Sequence, residues 1–128
     1  MAKYAEITGW GKCLPPAVLT NDDFASVIDT SDEWIRTRSG ISERRVSHVP
    51  NSDLAAVAAM RAMAAAGVKP EEVDLLILAT TSGDNIVPST AAYVQAKTGT
   101  LNAAVFDLNA GCSGFIYALQ TATAMIRS

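Results

Sequence analysis

The chain has 128 residues, of which 49% are hydrophobic, and it carries a net charge of −3 at pH 7. This length and apolar fraction predict one compact domain over residues 1–128, and the negative charge argues against binding to nucleic acid or an anionic membrane. No apolar run is long enough to cross a bilayer. The two cysteines, Cys13 and Cys112, are spaced for neither a disulfide framework nor a metal site, so the sequence predicts a cytoplasmic protein without a metal.

The first third of the chain predicts one strand and two short helices. Residues 3–10 alternate weakly between polar and apolar and suit a strand. Asn21 is expected to cap the first helix. Thr30 and Glu33 stand in capping-box spacing and predict the second helix, which Gly40 ends.

Strands and helices then alternate through the rest of the chain. An Ala-rich segment at 53–66 predicts a helix. The apolar run at 75–79 predicts a strand buried on both faces, as in a parallel sheet, and a helix at 89–98 and a second strand at 103–108 follow. Apolar residues then recur at helical spacing from residue 115 to the last residues, where no stop signal occurs, so we expect the chain to continue. The pattern predicts an α/β fold with a mostly parallel sheet.

Cys112 is the candidate nucleophile because it lies where the predicted strand 103–108 turns into the last helix. Gly111 and Gly114 flank this turn and leave room for a substrate. A helix N-terminus presents free N–H donors and partial positive charge, which favour a thiolate and stabilise a developing oxyanion. The alternative is that Cys112 is a small buried apolar residue, as free cysteines often are.

Three separated segments resemble one enzyme family. Residues 106–115 (FDLNAGCSGF) are similar to the active-cysteine motif of the β-ketoacyl-acyl-carrier-protein synthases III, which belong to the thiolase-fold superfamily. Residues 29–45 resemble the coenzyme A-binding stretch of that family, and residues 79–89 resemble its next strand and loop. Ser113 departs mildly from the family pattern, in which alanine is frequent. The similarity runs from about Ile7 to Arg127.

This resemblance implies the N-terminal part of a layered α/β/α thiolase-like fold, with the nucleophilic cysteine at a strand-to-helix turn. It also implies that Cys112 takes an acyl group from acyl-coenzyme A and condenses it with malonyl-acyl-carrier protein, with decarboxylation, to start fatty-acid synthesis. Acyl-coenzyme A is then a substrate, and no cofactor is expected. The family also uses a later histidine and asparagine, so the 128 residues alone are expected to be inactive. A homodimer is expected through the sheet that holds residues 103–108.

The same resemblance assigns the coenzyme A site. It implies that Trp34 stacks on the adenine while Thr30 and Arg38 complete that end of the site. By pattern alone, Trp34 could equally be a core residue of a short helix. Positively charged neighbours could add attraction for the same ligand or for an acidic carrier protein, or could be solvated surface charges; they are Arg36, Arg44 and Arg45.

Val87 is the residue expected to influence primer choice. In the family this loop position reaches toward the acyl pocket, and a bulky aromatic side chain there shortens the acyl chain that is accepted. Valine therefore predicts tolerance of primers longer or more branched than acetyl. The alternative is that Val87 packs beneath its loop. Cys13 is expected to be structural, and His48 is expected to be an exposed loop residue without a catalytic role.

Other functions were weighed against this one. A related cysteine-dependent priming or condensing enzyme of polyketide, alkylquinolone or olefin biosynthesis would use the same Cys112. A non-catalytic half of the fold that docks on a partner has no need of an intact nucleophile motif. A thiol redox protein would need a resolving cysteine near Cys112, and none adjoins it.

Overall fold

The computed structural model describes residues 4–128. These residues divide into two compact units, one made of the described residues up to Cys13 together with Pro50–Ser128, and the other of Leu14–Val49. Each unit has its own two-stranded sheet. A single thiolase-like domain over residues 1–128 stays a prediction.

The unit formed by Leu14–Val49 contains two paired strands, and two helices lie between them in the sequence. Its elements are β1 (Ala17–Thr20), α1 (Asn21–Ala25), α2 (Asp32–Ser39) and β2 (Glu43–Val46). The strands β1 and β2 are antiparallel, with Ala17 opposite Val46. Neither strand was predicted, because β1 follows two prolines and β2 carries two arginines, and both features are untypical of strands.

The cap of each helix in this unit lies one residue away from the predicted cap. Thr20 caps α1, since its side chain accepts a hydrogen bond from the N–H of Asp23 at 3.2 Å and the Asp23 carboxylate accepts one from the N–H of Thr20 at 2.8 Å. The prediction that Asn21 is the cap is therefore wrong. Ser31 caps α2 by accepting from the N–H of Trp34, so a cap at Thr30 is also wrong. Ser31 takes the role because its backbone is extended and places its hydroxyl over the first turn.

Asn21 instead holds this unit together from inside. It is buried, and its amide donates to the Asp32 carboxylate and to the carbonyl of Ile41, both at 2.8 Å. Its side-chain oxygen accepts from Arg44 at 2.8 Å, and Arg44 also donates to the carbonyl of Leu19. This network fixes the start of α2, the helix that carries Trp34.

The other unit contains the predicted alternation of strands and helices. Its elements are α3 (Asn51–Ala66), a 3₁₀ turn (Pro70–Glu72), β3 (Leu75–Ala79), α4 (Thr90–Thr98), β4 (Ala104–Leu108), a second 3₁₀ turn (Gly111–Ser113) and α5 (Gly114–Arg127). These bounds confirm the predicted helices and strands from residue 51 onward to within two residues. Small side chains let α3 and α4 pack closely, and the buried apolar residues are Ala56, Ala91, Val94 and Ala103.

The strands β3 and β4 are parallel, as predicted, with Leu75 opposite Ala104 and Ala79 opposite Leu108. Their register brings the carboxyl ends of both strands to one sheet edge. Most side chains of both strands are half-buried rather than buried on both faces. The expectation of complete burial is wrong because each strand pairs with only one neighbour among the described residues.

Residues 4–10 form no strand, and residue 3 of the predicted strand lies outside the described residues. The backbone here lies against α3 instead of beside another strand. A Cβ atom added at Gly9 would stand 2.5 Å from the carbonyl oxygen of Ala62, and one at Gly11 would meet Ala58 equally closely. The two glycines therefore permit a backbone-to-helix contact, which competes with strand pairing.

Candidate functional site

Cys112 lies in the 3₁₀ turn that joins the end of β4 to the first turn of α5. Gly111 begins this turn with a φ of 54°, in the left-handed region that favours glycine. The two hydrogen bonds of the turn are donated by the N–H groups of Ser113 and Gly114. The N–H of Cys112 is not used by those two bonds, and the Cys112 side chain is exposed. Within these 128 residues Cys112 is therefore not a buried structural cysteine.

A cleft of about 510 Å³ adjoins Cys112. Gly111 and Cys112 form one wall, and the end of β3 with the start of the following loop, residues 79–82, forms the other. The parallel register explains this meeting, because the carboxyl ends of β3 and β4 lie side by side. Open α/β sheets bind their ligands at such an edge. The arrangement suits a thiolate that attacks a carbonyl group entering the cleft.

The loop between β3 and α4 carries Val87. This side chain is 84% exposed, and its neighbour Ile86 is 97% exposed. Within these 128 residues Val87 therefore does not pack beneath the loop. Its role in primer choice stays a prediction.

Two half-buried carboxylates lie in this region, and neither of them was identified as a site residue from the sequence. Asp84 lies in the loop after β3 and Asp107 lies in β4, and both line a second cleft of about 460 Å³ together with residues 80–86 and Asn109. Hydrogen bonds from Ser52, from its side chain first and then from its N–H, hold the pKa of Asp84 below its ordinary value. Both carboxylates bind backbone N–H groups far away in sequence, which no local pattern reveals.

The predicted coenzyme A residues lie in the unit formed by Leu14–Val49. Trp34 is 54% exposed on α2, so it is not a core tryptophan within these 128 residues. The Arg38 guanidinium carbon stands 4.4 Å from the centre of the Trp34 ring, and the four-residue spacing on one helix produces this contact. Thr30 is half-buried just before the cap of α2. The structure thus brings Trp34 and Arg38 together on an accessible surface.

The other arginines of this unit divide into surface and structural residues. Arg36 pairs with Asp32 at 3.5 Å on the exposed face of α2. Arg44 joins the Asn21 network and stacks over Phe24 at 4.4 Å. Arg45 donates to the carbonyl of Pro15 at 3.3 Å. Arg44 is therefore chiefly a structural residue.

The remaining candidates have no assigned chemistry. His48 is exposed in a bend, as predicted, and Cys13 is half-buried. Within residues 4–128, no three His, Cys, Asp or Glu side chains cluster in a way that could hold a metal ion. None of the helices in that range combines the length and the apolar character needed to span a membrane.

Comparison of sequences finds a family and close relatives. The family described as 3-oxoacyl-[acyl-carrier-protein (ACP)] synthase III matches residues 106–128, which include the end of β4, Cys112 and α5. The chain is 59% identical over 125 residues to "Beta-ketoacyl-[acyl-carrier-protein] synthase III 2" of Vibrio vulnificus, covering 98% of this chain and 34% of that protein. The chain therefore spans about a third of the length of this relative.

Comparison with solved structures finds similar folds over nearly the whole chain. The 3-oxoacyl-[acyl-carrier-protein] synthase III of Aquifex aeolicus superposes with a TM-score of 0.90 at 48% identity, covering 94% of this chain and 40% of that one. The priming β-ketosynthase of the R1128 polyketide biosynthetic pathway superposes with a TM-score of 0.91 at 32% identity, covering 99% of this chain and 39% of that one.

Proposed function

We propose that the chain is an N-terminal portion of a β-ketoacyl-acyl-carrier-protein synthase III with a thiolase-like fold, and that the full-length protein is a condensing acyltransferase that works through Cys112. One observation carries this proposal. Cys112 is exposed at the N-terminal end of α5, beside a cleft at the carboxyl edge of a parallel sheet. This position is suited to covalent acyl transfer.

The first half of the reaction acylates Cys112. The thiolate attacks the carbonyl carbon of an acyl-coenzyme A thioester and forms a tetrahedral oxyanion. The N–H of Cys112 and the positive end of α5 stabilise that oxyanion. The carbon–sulfur bond to coenzyme A then breaks, coenzyme A leaves as a thiolate that takes up the proton lost by Cys112, and an acyl-cysteine remains.

The second half extends the acyl group by two carbons. Malonyl-acyl-carrier protein loses carbon dioxide, and the resulting carbanion attacks the carbonyl of the acyl-cysteine. A carbon–carbon bond forms, the bond to the Cys112 sulfur breaks, and the thiolate is regenerated. The groups expected to stabilise the carbanion are a histidine and an asparagine that do not belong to these 128 residues. We therefore predict that the 128-residue chain alone does not condense.

The donor site is proposed on the exposed surface of α2. Arg38 covers one face of the Trp34 ring, so the adenine of coenzyme A stacks on the other face. Arg38 and Thr30 then contact the polar parts of the nucleotide, where a guanidinium group can pair with phosphate. Stacking suits this task because a π face binds a base without the cost of burying a charge.

The acyl end of the substrate is proposed to meet Val87. The small, exposed valine leaves space for primers longer or more branched than acetyl. The loop is expected to serve the acyl pocket of the neighbouring subunit in a homodimer, formed through the sheet that holds residues 103–108. The protein is proposed to act in the cytoplasm, where acyl-coenzyme A and the carrier protein are its partners.

A second function is favoured by one structural match. The priming β-ketosynthase of a polyketide pathway superposes on 99% of the chain. A priming enzyme of a secondary pathway would use the same Cys112 and donor site but would extend a different carrier protein. Carrier-protein choice therefore separates the two functions.

The test uses the full-length protein with an acyl-coenzyme A and malonyl-acyl-carrier protein. We expect release of carbon dioxide and formation of a β-ketoacyl-carrier protein, both abolished in Cys112→Ala. Condensation on a fatty-acid carrier protein supports the first function, whereas condensation only on a polyketide carrier protein supports the second. Absence of carbon dioxide release with either carrier would contradict both.

A further inference from the structure

The helices α3 and α4 are capped by side chains that come from elsewhere in the chain. The residue preceding α3 is Pro50 and the residue preceding α4 is Ser89, and within the described residues neither makes a side-chain capping bond. The first N–H groups of a helix need acceptors. One carboxylate supplies them for each helix, Asp84 for α3 and Asp107 for α4.

Asp107 joins β4 to α4. One oxygen of its carboxylate accepts a hydrogen bond from the N–H of Thr90 and the other accepts one from the N–H of Ala91, both at 2.7 Å. Thr90 and Ala91 are fully buried. Asp107 is also five residues before Cys112, on the strand that leads into the catalytic turn. A two-point contact to a charged acceptor fixes both direction and distance.

Asp84 links the loop between β3 and α4 to α3 by hydrogen bonds, and it is also bonded to Thr90. Its carboxylate accepts from the N–H of Asn51 at 2.8 Å and from the N–H of Ser52 at 3.2 Å. Its own N–H donates to the Thr90 hydroxyl at 2.8 Å. The hydrogen bonds therefore run from α3 through Asp84 to Thr90, and from Thr90 to Asp107 in β4.

The same contacts hold the wall of the Cys112 cleft. The Asn51 amide donates to the hydroxyl of Thr80 at 2.8 Å and to the carbonyl of Ser82 at 3.2 Å. The N–H of Thr80 donates to the carbonyl of Leu108 at the end of β4. Residues 80–84 are thus fixed at several points, and the exposed segment with Val87 follows directly after them.

From these contacts we propose that Asp107 and Asp84 are positioning residues, which hold the loop at residues 80–88 and the Cys112 turn in one fixed geometry for acyl transfer. The proposal rests on the proposed function, since it assigns these residues to acylation of Cys112. They act through α3, α4 and the loop rather than by touching the substrate. A displacement of about 1 Å at a reacting group can cost a factor of 100 in rate.

The test compares Asp107→Asn and Asp84→Asn with the unaltered full-length protein. Asparagine keeps the size of the side chain but replaces one acceptor oxygen by an N–H₂ group, which cannot accept from a backbone N–H. Asp74→Asn is the matched control, because Asp74 is exposed just before β3 and its carboxylate takes no part in the hydrogen bonds of the loop network. It removes the same charge in the same unit.

Two measurements are made on each protein. The first is the rate of Cys112 acylation at saturating primer, for acetyl- and hexanoyl-coenzyme A. We expect it to fall at least about tenfold in Asp107→Asn, with an altered ratio between the primers and an unchanged half-saturating concentration. The second is amide hydrogen exchange, which should become faster in peptides 80–88 and 109–114. Asp74→Asn should change neither measurement.

Several outcomes would overturn the proposal. Loss of thermal stability with unchanged acylation rate and primer ratio would make the carboxylates merely structural. Exchange that quickens at residues 90–91 but not in peptides 80–88 and 109–114 would do the same. Should Asp107→Asn fail to fold, Asp84→Asn carries the comparison. Should the unaltered protein take no acyl group, the proposed function fails, whereas the exchange measurement still decides whether these residues hold the loop and turn.

Discussion

Replacing Trp34 by alanine tests the donor site more sharply than any other single change outside Cys112. The indole is 54% exposed, so its removal leaves no large core cavity. The contact with Arg38 at 4.4 Å is worth about 0.5–1 kcal/mol at an exposed site. Loss of stacking on a base costs about 1–3 kcal/mol. We therefore expect the KM for acyl-coenzyme A to rise roughly 5- to 150-fold, with little change in kcat.

The assay measures acylation of Cys112 by a full acyl-coenzyme A and by the matching acyl-pantetheine, which lacks the nucleotide. The Trp34→Ala effect should vanish with acyl-pantetheine, because nothing remains to stack. Trp10→Ala is the control, since Trp10 is 73% exposed in the other unit and has no proposed ligand. Equal loss with both donors would refute the assignment of Trp34 to the nucleotide.

Two further predictions concern the loop after β3. Val87→Phe should shift the primer preference of the full-length protein from longer acyl chains toward acetyl, as measured with an acyl-coenzyme A panel. The control Ile86→Phe should not shift it. An unchanged preference in Val87→Phe would contradict the role of Val87. Asp84 has a lowered pKa in the folded protein, so its stabilising effect is present above about pH 4 and is lost as pH falls through the lower folded pKa. Asp84→Asn should therefore lower Tm near neutral pH and reduce the loss of Tm below about pH 4, and parallel profiles of Tm against pH would oppose this reasoning.

The elements from residue 51 onward could be predicted because their signals are local. Gly67 and Gly99 each follow a helix with a positive φ, and glycine in that place is visible in the sequence. The apolar runs at 75–79 and 104–108 are short and bounded by turn residues, which is typical of parallel strands.

The unit at Leu14–Val49 was harder to predict because its bonds are long-range. Asn21 is a good helix cap by type, yet its amide is engaged by Asp32, Ile41 and Arg44. Thr20 was free to cap instead, and Asp23 stood at the right spacing to complete the capping box. Two adjacent polar residues can both suit the cap position. The local sequence does not show which of them will make tertiary hydrogen bonds instead.

The candidate site also contains one part that the sequence predicted and another that it did not. The turn at Cys112 could be placed from Gly111, Gly114 and the strand before them. Asp84 and Asp107 could not be recognised, because each bonds N–H groups at least 16 residues away. Such contacts are decided by the packing of α3 on α4 and of α4 on the sheet rather than by neighbouring residues.

The central claim is that Cys112 carries the acyl group, and peptide mass measures this directly. The full-length protein is incubated with an acyl-coenzyme A panel without malonyl-acyl-carrier protein and is then digested. The mass of the peptide containing Cys112 is measured by mass spectrometry. We predict an increase equal to one acyl group on that peptide, absent in Cys112→Ala and absent from the peptide containing Cys13. An unmodified Cys112 peptide with every primer would contradict the account.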